Sequence, residues 1–554
     1  MTEYTTTTMV LPLALGKEVI AKFDGGALSS DGGMLMLAAA DKRAGVTAAL
    51  AAAMRDNRQQ SKVEHSAHEI VRERVLAIAG GYADGNDLNT LRDDPLLKMA
   101  SGQCPLEGAA LASQPTVSRW ENQATRRDLL RMSLALAERV VAQLPEATQR
   151  VVLDVDASDD ACHGQQQFEG FNGYYEAHCY LPLFVHLTDD GGTQWPLAAL
   201  LRPGRTNPLC GVRGALKRAV QLLRRRFPQL EILVRADSGF GCDEVVRCCE
   251  RLGVHYVIGL PSNRRLQVLG GPAQARCAQA WAAQCALRWA DPQRYEGGLA
   301  IAATGRTGVG WATQAQGDGV GEPCREYAEF AYKAGTWAHC RDTIIKVEMT
   351  QGKLNPRYVV TDLTAWAGLA LDAAGIYHLY CGRGNQENAI KESKLDLDSG
   401  RTSCHRFLAN QARLLEHLTA HLLWTVARVH AAGTRWATAQ VGTMRLQIQK
   451  VAVRVRETTR RIWLHLCSTT PTRPSGDCCW SACRESTGWT GLVRSSPDSY
   501  QPLPTRARGT RPMPPQVARC GSPGTRPAAP EFAARPDGAT PHLDTVVSCH
   551  LATI

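Results

Sequence analysis

The sequence predicts an α/β protein whose sheet has antiparallel and parallel parts. Residues 151–158, VVLDVDAS, alternate as a half-buried strand does. Four further β-rich runs cover residues 181–187, 195–201, 231–237 and 254–260. Turn residues 189–192 lie between the second and third runs, which favours an antiparallel hairpin, whereas helical segments separate the later runs. These observations predict the order strand, hairpin, helix, strand, helix, strand.

An N-terminal lead, residues 1–19, precedes a predicted helical domain of residues 20–148. Its apolar positions recur with a helical period after the turn LSSDGG, and one helix ends at Gly80-Gly81. In SQPTVSRWEN, Ser113 is a candidate N-cap for a helix that continues through RRDLLRMSLALAERVVAQL. The pattern of helix, turn and helix over residues 60–125 is compatible with a DNA-binding role. It is equally compatible with helices that only pack against each other.

The α/β core, which begins at residue 149, is interrupted after residue 261. Residues 262–365 are rich in Gly, Gln, Thr and alternating segments, which predicts a β-rich inserted domain. Residues 366–466 return to a helical pattern, with an amphipathic helix long enough to pack against the sheet. The first part of the core is therefore residues 149–261 and the second part is residues 366–466.

Residues 467–554 differ in composition from the rest of the chain. They hold nearly half of the 28 prolines and contain arginine but no lysine, and no periodicity survives there. We predict a disordered tail whose composition is that of a GC-rich gene translated in a shifted frame.

Composition narrows the class of protein. The net charge of +10 favours a polyanionic partner. The sequence has no apolar window of membrane-spanning length and no signal peptide at its start, which predicts a soluble cytoplasmic protein without a membrane partner. The cysteines of the body lack the C-x-x-C spacing of zinc sites and are interpreted as free thiols in a reducing compartment.

The stretch YCGRGNQENAIKESK, residues 380–394, predicts a helix whose start is loosened by Gly382 and Gly384. Arg383 and Glu387 are neighbours one turn apart on this helix. Taken alone, the stretch is also compatible with a solvated helix carrying a surface ion pair.

Three acidic positions suggest a metal site: Asp156 or Asp154 on the first strand, Asp237 at the end of a later strand, and Glu387. Phosphodiester chemistry uses carboxylates that hold two divalent ions about 4 Å apart. Hard oxygen ligands of this kind suit Mg²⁺ or Mn²⁺. Each aspartate on its own is also compatible with a helix or turn cap.

Tyr380, Arg383, Glu387 and Lys394 reproduce the signature Y-(2)-R-(3)-E-(6)-K, and with it the chain resembles the DDE transposases of bacterial insertion sequences. Further segments are similar to the thirteen-eighty group of those elements over residues 20–466. They are LSSDGG, RERVLAIAGGYADGNDLNTLRDDP, SQPTVSRWEN, LDVDASDDACHGQQ, FNGYYEAHCYLPLFVH, LRPGR, VRADSGFG, WAHCRDTIIKVE and NPRYVVTDL.

The resemblance implies an RNase H-like catalytic core interrupted by the β-rich insertion, with an N-terminal helical domain for the terminal inverted repeats. It implies a metal-binding catalytic triad of Asp156, Asp237 and Glu387 that holds two Mg²⁺ ions, for which Mn²⁺ substitutes. Asp156 is preferred to Asp154 because a small residue and a serine follow it.

Other residues are implied to contact DNA. Arg383 and Lys394 would bind phosphates near the scissile bond, with Tyr380 beside them. Trp337 is a candidate for stacking on an unpaired base, and equally a candidate core residue.

The implied activity is metal-dependent DNA cleavage at element ends and strand transfer into target DNA. The implied partners are double-stranded DNA with terminal inverted repeats, target DNA and a second copy of the chain, and the implied location is the bacterial nucleoid. Two alternatives stay open: a catalytically inactive DNA-binding remnant, and an RNase H-like nuclease without strand transfer.

Overall fold

A computed structural model gives the fold. It describes residues 9–11, 19–289, 323–350, 352–365 and 371–467. The predicted disordered tail lies outside the described residues except for Cys467, and so does most of the predicted lead. Within the described ranges, no helix is both long enough and apolar enough to pass through a membrane.

The α-helices of the described residues begin and end as follows: α1 (Met34–Ala44), α2 (Val46–Ala53), α3 (Ala67–Ala79), α4 (Leu88–Leu91), α5 (Pro95–Ala100), α6 (Gln114–Asn122), α7 (Arg126–Gln143), α8 (Val212–Arg226), α9 (Asp243–Leu252), α10 (Arg264–Leu269), α11 (Gly271–Trp289), α12 (Ala373–Cys381), α13 (Gly384–Asp396), α14 (Phe407–His430) and α15 (Val441–Met444).

The strands of the same residues are β1 (Met9–Leu11), β2 (Val19–Ala21), β3 (Leu28–Ser29), β4 (Arg150–Ala157), β5 (Asp160–Ala161), β6 (Gly170–Asn172), β7 (Ala177–Tyr180), β8 (Leu183–Thr188), β9 (Gln194–Leu200), β10 (Glu231–Ala236), β11 (His255–Leu260), β12 (Cys324–Tyr332), β13 (Arg341–Thr350), β14 (Lys353–Thr361), β15 (Val453–Thr458) and β16 (Arg461–Leu466).

One mixed sheet of 8 strands organises the protein, in the order β12-β13-β14-β11-β10-β4-β8-β9. β4, β10 and β11 run parallel to one another, and β8 and β9 continue the sheet beyond β4 as an antiparallel hairpin. The mixed α/β class predicted from the sequence is therefore confirmed. Because β4 and β10 are parallel neighbours, the residues that follow them lie at the same edge of the sheet.

The strands within residues 262–365 were expected to form an inserted domain of their own. Instead, β14 pairs with β11, and β13 and β12 follow it, so that all three extend the main sheet. The segment also begins with two helices, α10 and α11. Alternation of apolar residues predicts a strand but not its neighbour, which is why the sequence did not reveal this pairing. Residues 290–322 lie outside the described part.

The N-terminal helices share one apolar core with the sheet. Leu37 of α1, Ile70 of α3, Val234 of β10 and Leu415 of α14 belong to the same buried cluster. The long helix α14 connects the two halves of this core, and its Trp424 donates a hydrogen bond to the carbonyl of Ala79 at 3.0 Å. The predicted boundary after residue 148 therefore does not separate two cores.

The helix predicted to run from residue 114 to residue 144 is broken. α6 ends at Asn122, and Thr125 caps α7 in a reciprocal capping box with Asp128. Ser113 stands at the N-cap position of α6, as predicted, but its side chain makes no capping hydrogen bond. A threonine followed three residues later by an aspartate favours the start of a new helix. Here that capping motif begins α7 although the apolar periodicity continues through it.

Candidate active site

Two aspartates stand side by side where β4 and β10 come to their ends. In the ladder between these strands Val155 lies opposite Ala236, and Asp156 and Asp237 are the next residues along each chain. Asp237 also begins a short turn, because its carboxylate accepts a hydrogen bond from the backbone N–H of Gly239 at 2.9 Å. The structure thus brings together two of the three predicted carboxylates.

The carboxylate of Asp156 is in an environment that favours a cation. Its side chain is only 13% exposed. Burial raises the pKa of Asp156 to about 7, and the negative charges of Asp237 and, to a smaller extent, Glu387 add to this increase, whereas Arg383 opposes it. A positive ion beside Asp156 and Asp237 would relieve both the desolvation and the repulsion.

Asp154, which the sequence left as an alternative to Asp156, is paired with Arg235. It is completely buried, and its two carboxylate oxygens accept hydrogen bonds from Nε and Nη2 of Arg235 at 2.5 and 2.8 Å. Nη1 of Arg235 donates to the carbonyl of Leu379 in α12 at 2.7 Å. Of the two aspartates on β4, only Asp156 is therefore accessible to a ligand.

The predicted helix over residues 380–394 is two helices that meet at Gly382 and Arg383. α12 ends at Cys381 and α13 begins at Gly384. A Cβ atom on Gly382 would lie 2.2 Å from Nη1 of Arg235, so the junction can approach the buried ion pair only because this residue is glycine. The sequence showed both glycines, but not the contact that requires one of them.

Arg383 connects the carboxylates of the two elements. Its Nη1 lies 3.3 Å from Oδ2 of Asp156, and its Nη2 lies 2.5 Å from Oε1 of Glu387. The ion pair between Arg383 and Glu387 is the one-turn neighbour relation that the sequence predicted. Glu387 is exposed, with 55% of its side chain open to solvent, and it faces the same guanidinium group as Asp156.

Tyr380 lies at the same end of the sheet. A Cβ atom on Gly259 of β11 would be 2.7 Å from the Tyr380 hydroxyl and 2.8 Å from the backbone nitrogen of Ser238. Burial raises the pKa of Tyr380, and the charge of Asp237 adds to this while Arg383 opposes it. Tyr380 is therefore close enough to Asp237 and Arg383 for their charges to act on its hydroxyl.

Lys394 is held by the loop that follows β4. Its Nζ donates to Oγ of Ser158 at 2.9 Å and to the backbone carbonyl of Asp159, and it lies 3.2 Å from Oδ1 of Asp159. It also lies 3.9 Å from a carboxylate oxygen of the buried Asp160. Lys394 thus ties α13 to the residues just after Asp156, and in this structure its charge is matched within the chain.

Trp337 lies away from the other predicted site residues. It is only 5% exposed, it packs edge to face with Tyr332, and the guanidinium of Arg341 covers its ring at 4.9 Å. It precedes β13, which is three strand spacings, roughly 14 Å, from β10. The structure favours the core interpretation of Trp337 over the stacking one.

The oxygen donors of the site suit a divalent cation, although only two of the three predicted carboxylates are available to bind one. Asp156 and Asp237 offer carboxylate oxygens at one edge, and these are ligands that Mg²⁺ and Mn²⁺ prefer. Glu387 is paired with Arg383 instead. Across the described ranges, no three His, Cys, Asp or Glu side chains are grouped closely enough to hold a metal ion. Release of the Arg383 contact would make Glu387 available as the third donor.

The sequence interpretation missed two residues that support the site. Arg235 anchors Asp154 and α12, and Gln386, which is fully buried, donates from its side chain to the carbonyl of Asp154 at 2.9 Å. A signal for Arg235 was present. β4 and β10 each carry a charged residue two positions before the final aspartate, and parallel pairing places those opposite charges together.

Comparison with known proteins gives one family. The family described as transposase DDE domain group 1 matches residues 11–481. No curated protein matches the chain. One similar solved structure is a cryo-EM structure of piggyBac transposase in a synaptic complex with hairpin DNA, with 10% sequence identity and a TM-score of 0.35. That alignment covers 71% of this chain and 74% of the other.

Proposed function

The chain belongs to the DDE transposase family, since the family match covers most of its length, and we propose that it cuts DNA at the ends of its element and transfers them into target DNA. In this proposal β4, β8, β9, β10 and β11, with α13, form an RNase H-like catalytic core. The observation that carries the proposal is the adjacency of Asp156 and Asp237 at neighbouring strand ends, with Arg383 linking Asp156 to Glu387.

Asp156, Asp237 and Glu387 are the proposed ligands of two Mg²⁺ ions, which Mn²⁺ can replace. Bound there, the ions would activate the attacking oxygen and stabilise the leaving oxygen of a phosphodiester. The chain's own contribution is to place the carboxylates. Asp156 is fixed by β4, Asp237 by its turn at the end of β10, and Glu387 by the first turn of α13.

Arg383 and Tyr380 are the proposed DNA contacts nearest the carboxylates. Arg383 pairs with both Asp156 and Glu387 in this structure, and its planar guanidinium can bind a phosphate bidentately once those carboxylates have another counter-ion. Lys394 has a double role in this proposal. It fixes the loop after β4 through Ser158 and Asp159, and it places a second positive charge beside the path of the DNA backbone.

The proposed substrates are double-stranded DNA with terminal inverted repeats and a target duplex, within the bacterial nucleoid. We also propose that two copies of the chain act together, because an element has two ends to be joined. The net charge of +10 is consistent with a polyanionic substrate.

The proposal is tested by incubating the chain with linear DNA that carries the inverted repeats bracketing its gene, together with a supercoiled target plasmid. We expect nicks with free 3′ hydroxyls at the repeat ends and joined products in Mg²⁺ or Mn²⁺, and no products after the metal is removed with EDTA. DNA with scrambled ends is the matched control. Cutting that persists in EDTA, or that ignores the end sequence, would contradict the proposal.

A second candidate function is a DNA-binding remnant without catalysis. The observation in its favour is the contact of Glu387 with Arg383, which leaves the three carboxylates without a closed ligand set in the described residues. Specific binding of the end sequence without any nick, even in Mn²⁺, would support this candidate. Nicks without joined products would support a nuclease that lacks strand transfer.

A further inference from the structure

A small hairpin at the end of the described chain has two different faces. β15 and β16 pair with each other, and β3 pairs with β15 to complete a sheet of 3 strands. Alternate residues of β15 are buried and exposed, whereas most of β16 is exposed. The face that carries Val453 and Val455 is therefore covered by protein along β15, and the opposite face of the hairpin is open.

The covered face fixes the hairpin to the helical part of the protein. Val453 and Val455 are buried against Leu96 of α5. Glu457 accepts hydrogen bonds from the backbone nitrogens of Leu106 and Glu107 at 2.8 and 3.2 Å. These contacts hold the hairpin in place, so the open face has a defined position on the molecule.

The open face is basic and carries one exposed aromatic ring. Cross-strand partners share a face, and the register here pairs Arg454 with His465, Arg456 with Trp463, and Thr458 with Arg461. Trp463 is 47% exposed, and the guanidinium of Arg461 lies 6.0 Å from its ring. The only acidic residue of β15 and β16, Glu457, points to the covered face.

The arginines of this face have no acidic partner among the described residues. Two exposed arginines elsewhere on the protein do have one, as Arg213 lies 3.3 Å from Glu244 and Arg247 lies 3.6 Å from Asp243. Together, the three arginines give this face a positive potential that would attract an anionic partner. Arginine beside an exposed aromatic ring is also the composition of surfaces that follow a nucleic acid backbone.

We propose that the open face of this hairpin, consisting of Arg454, Arg456, Arg461, Trp463 and His465, binds the phosphate backbone of duplex DNA outside the catalytic site. The inference rests on the proposed function, because it takes DNA as the polyanion. In this proposal the arginines contact phosphates, which carry no sequence information, so the contact is independent of base sequence. It adds affinity and orientation without taking part in the chemistry.

The test compares the full chain with the double variant Arg454→Gln/Arg456→Gln. Binding of a labelled duplex is measured by fluorescence anisotropy over a range of salt concentrations. Each lost phosphate contact lowers the slope of log affinity against log salt by about 0.9, so the double variant should lose about 1.8. This slope change corresponds to roughly a 30-fold weaker affinity at 0.15 M salt if the two lines meet near 1 M.

The matched control is Arg213→Gln/Arg247→Gln. It also removes two positive charges, but from arginines that are already paired with acidic residues. We expect this control to leave the slope unchanged and both variants to melt at the wild-type temperature, since the changed side chains are exposed. A hairpin variant with the wild-type slope would overturn the inference, as would one that only alters the oligomeric state. If the wild-type chain binds no duplex, the proposed function fails as well, whereas failure of the hairpin alone leaves end-specific cleavage intact.

Discussion

Replacing Asp237 with asparagine is expected to lower the rate of DNA cleavage by at least about 10³-fold, which is roughly 4 kcal/mol of transition-state stabilisation. The same result is expected for Asp156→Asn. Each change keeps the shape of the side chain and removes a carboxylate from the pair at the strand ends. The measurement is the single-turnover rate of nicking at a saturating concentration of end DNA, which separates the chemical step from binding.

Asp372→Asn is the matched control for these variants. Asp372 caps α12 by accepting a hydrogen bond from the backbone nitrogen of Gly375 at 2.8 Å. Asparagine caps a helix about as well as aspartate, so the same chemical change there should leave the rate within about twofold. If Asp237→Asn nicks DNA at the wild-type rate, there is no basis for assigning catalysis to this edge of the sheet.

Replacing Arg235 with methionine is expected to destabilise the protein by about 3–5 kcal/mol, because it leaves the carboxylate of Asp154 buried without a partner. Arg235 is also almost completely buried, and it holds the carbonyl of Leu379. The measurement is the midpoint of unfolding in urea. Midpoints are compared between variants whose free energy of unfolding falls with urea concentration at the same slope.

The double variant Asp154→Leu/Arg235→Met separates charge burial from site geometry. It removes both charges, so we expect it to recover most of the lost stability. It should still cleave DNA about 10- to 100-fold more slowly than the wild type, the usual effect of removing groups that orient a metal site. If Arg235→Met lowers the free energy of unfolding by less than about 1 kcal/mol, the buried ion pair of Asp154 and Arg235 does not constrain the site as described above.

Much of the fold could be predicted from the sequence because its strands carry short, regular signals. The hairpin of β8 and β9 and the parallel strands β10 and β11 lie where alternation and turn residues placed them. Pairing partners were harder, since nothing local in β12, β13 or β14 shows that they extend the main sheet. The break at Thr125 was missed because apolar periodicity was weighed above a capping signal.

Most residues of the candidate site could be proposed from the sequence, but the contacts that constrain them could not. The spacing within residues 380–394 placed Arg383 beside Glu387, and the strand ends placed Asp156 beside Asp237. The choice between Asp154 and Asp156 rests on the partner that buries Asp154, and that partner is about 80 residues away in sequence. Burial of Trp337 likewise depends on Arg341 and Tyr332, whose packing no local pattern reveals.

The central claim is that Asp156, Asp237 and Glu387 form a divalent metal site, and Mn²⁺ binding followed by electron paramagnetic resonance tests it most directly. The titration is made on the full chain with a bound duplex, and it compares the wild type with Asp156→Asn, Asp237→Asn and Glu387→Gln. We predict that each variant binds Mn²⁺ at least about tenfold more weakly, a loss of about 1.4 kcal/mol. Equal Mn²⁺ affinity in the wild type and in all three variants would contradict the claim.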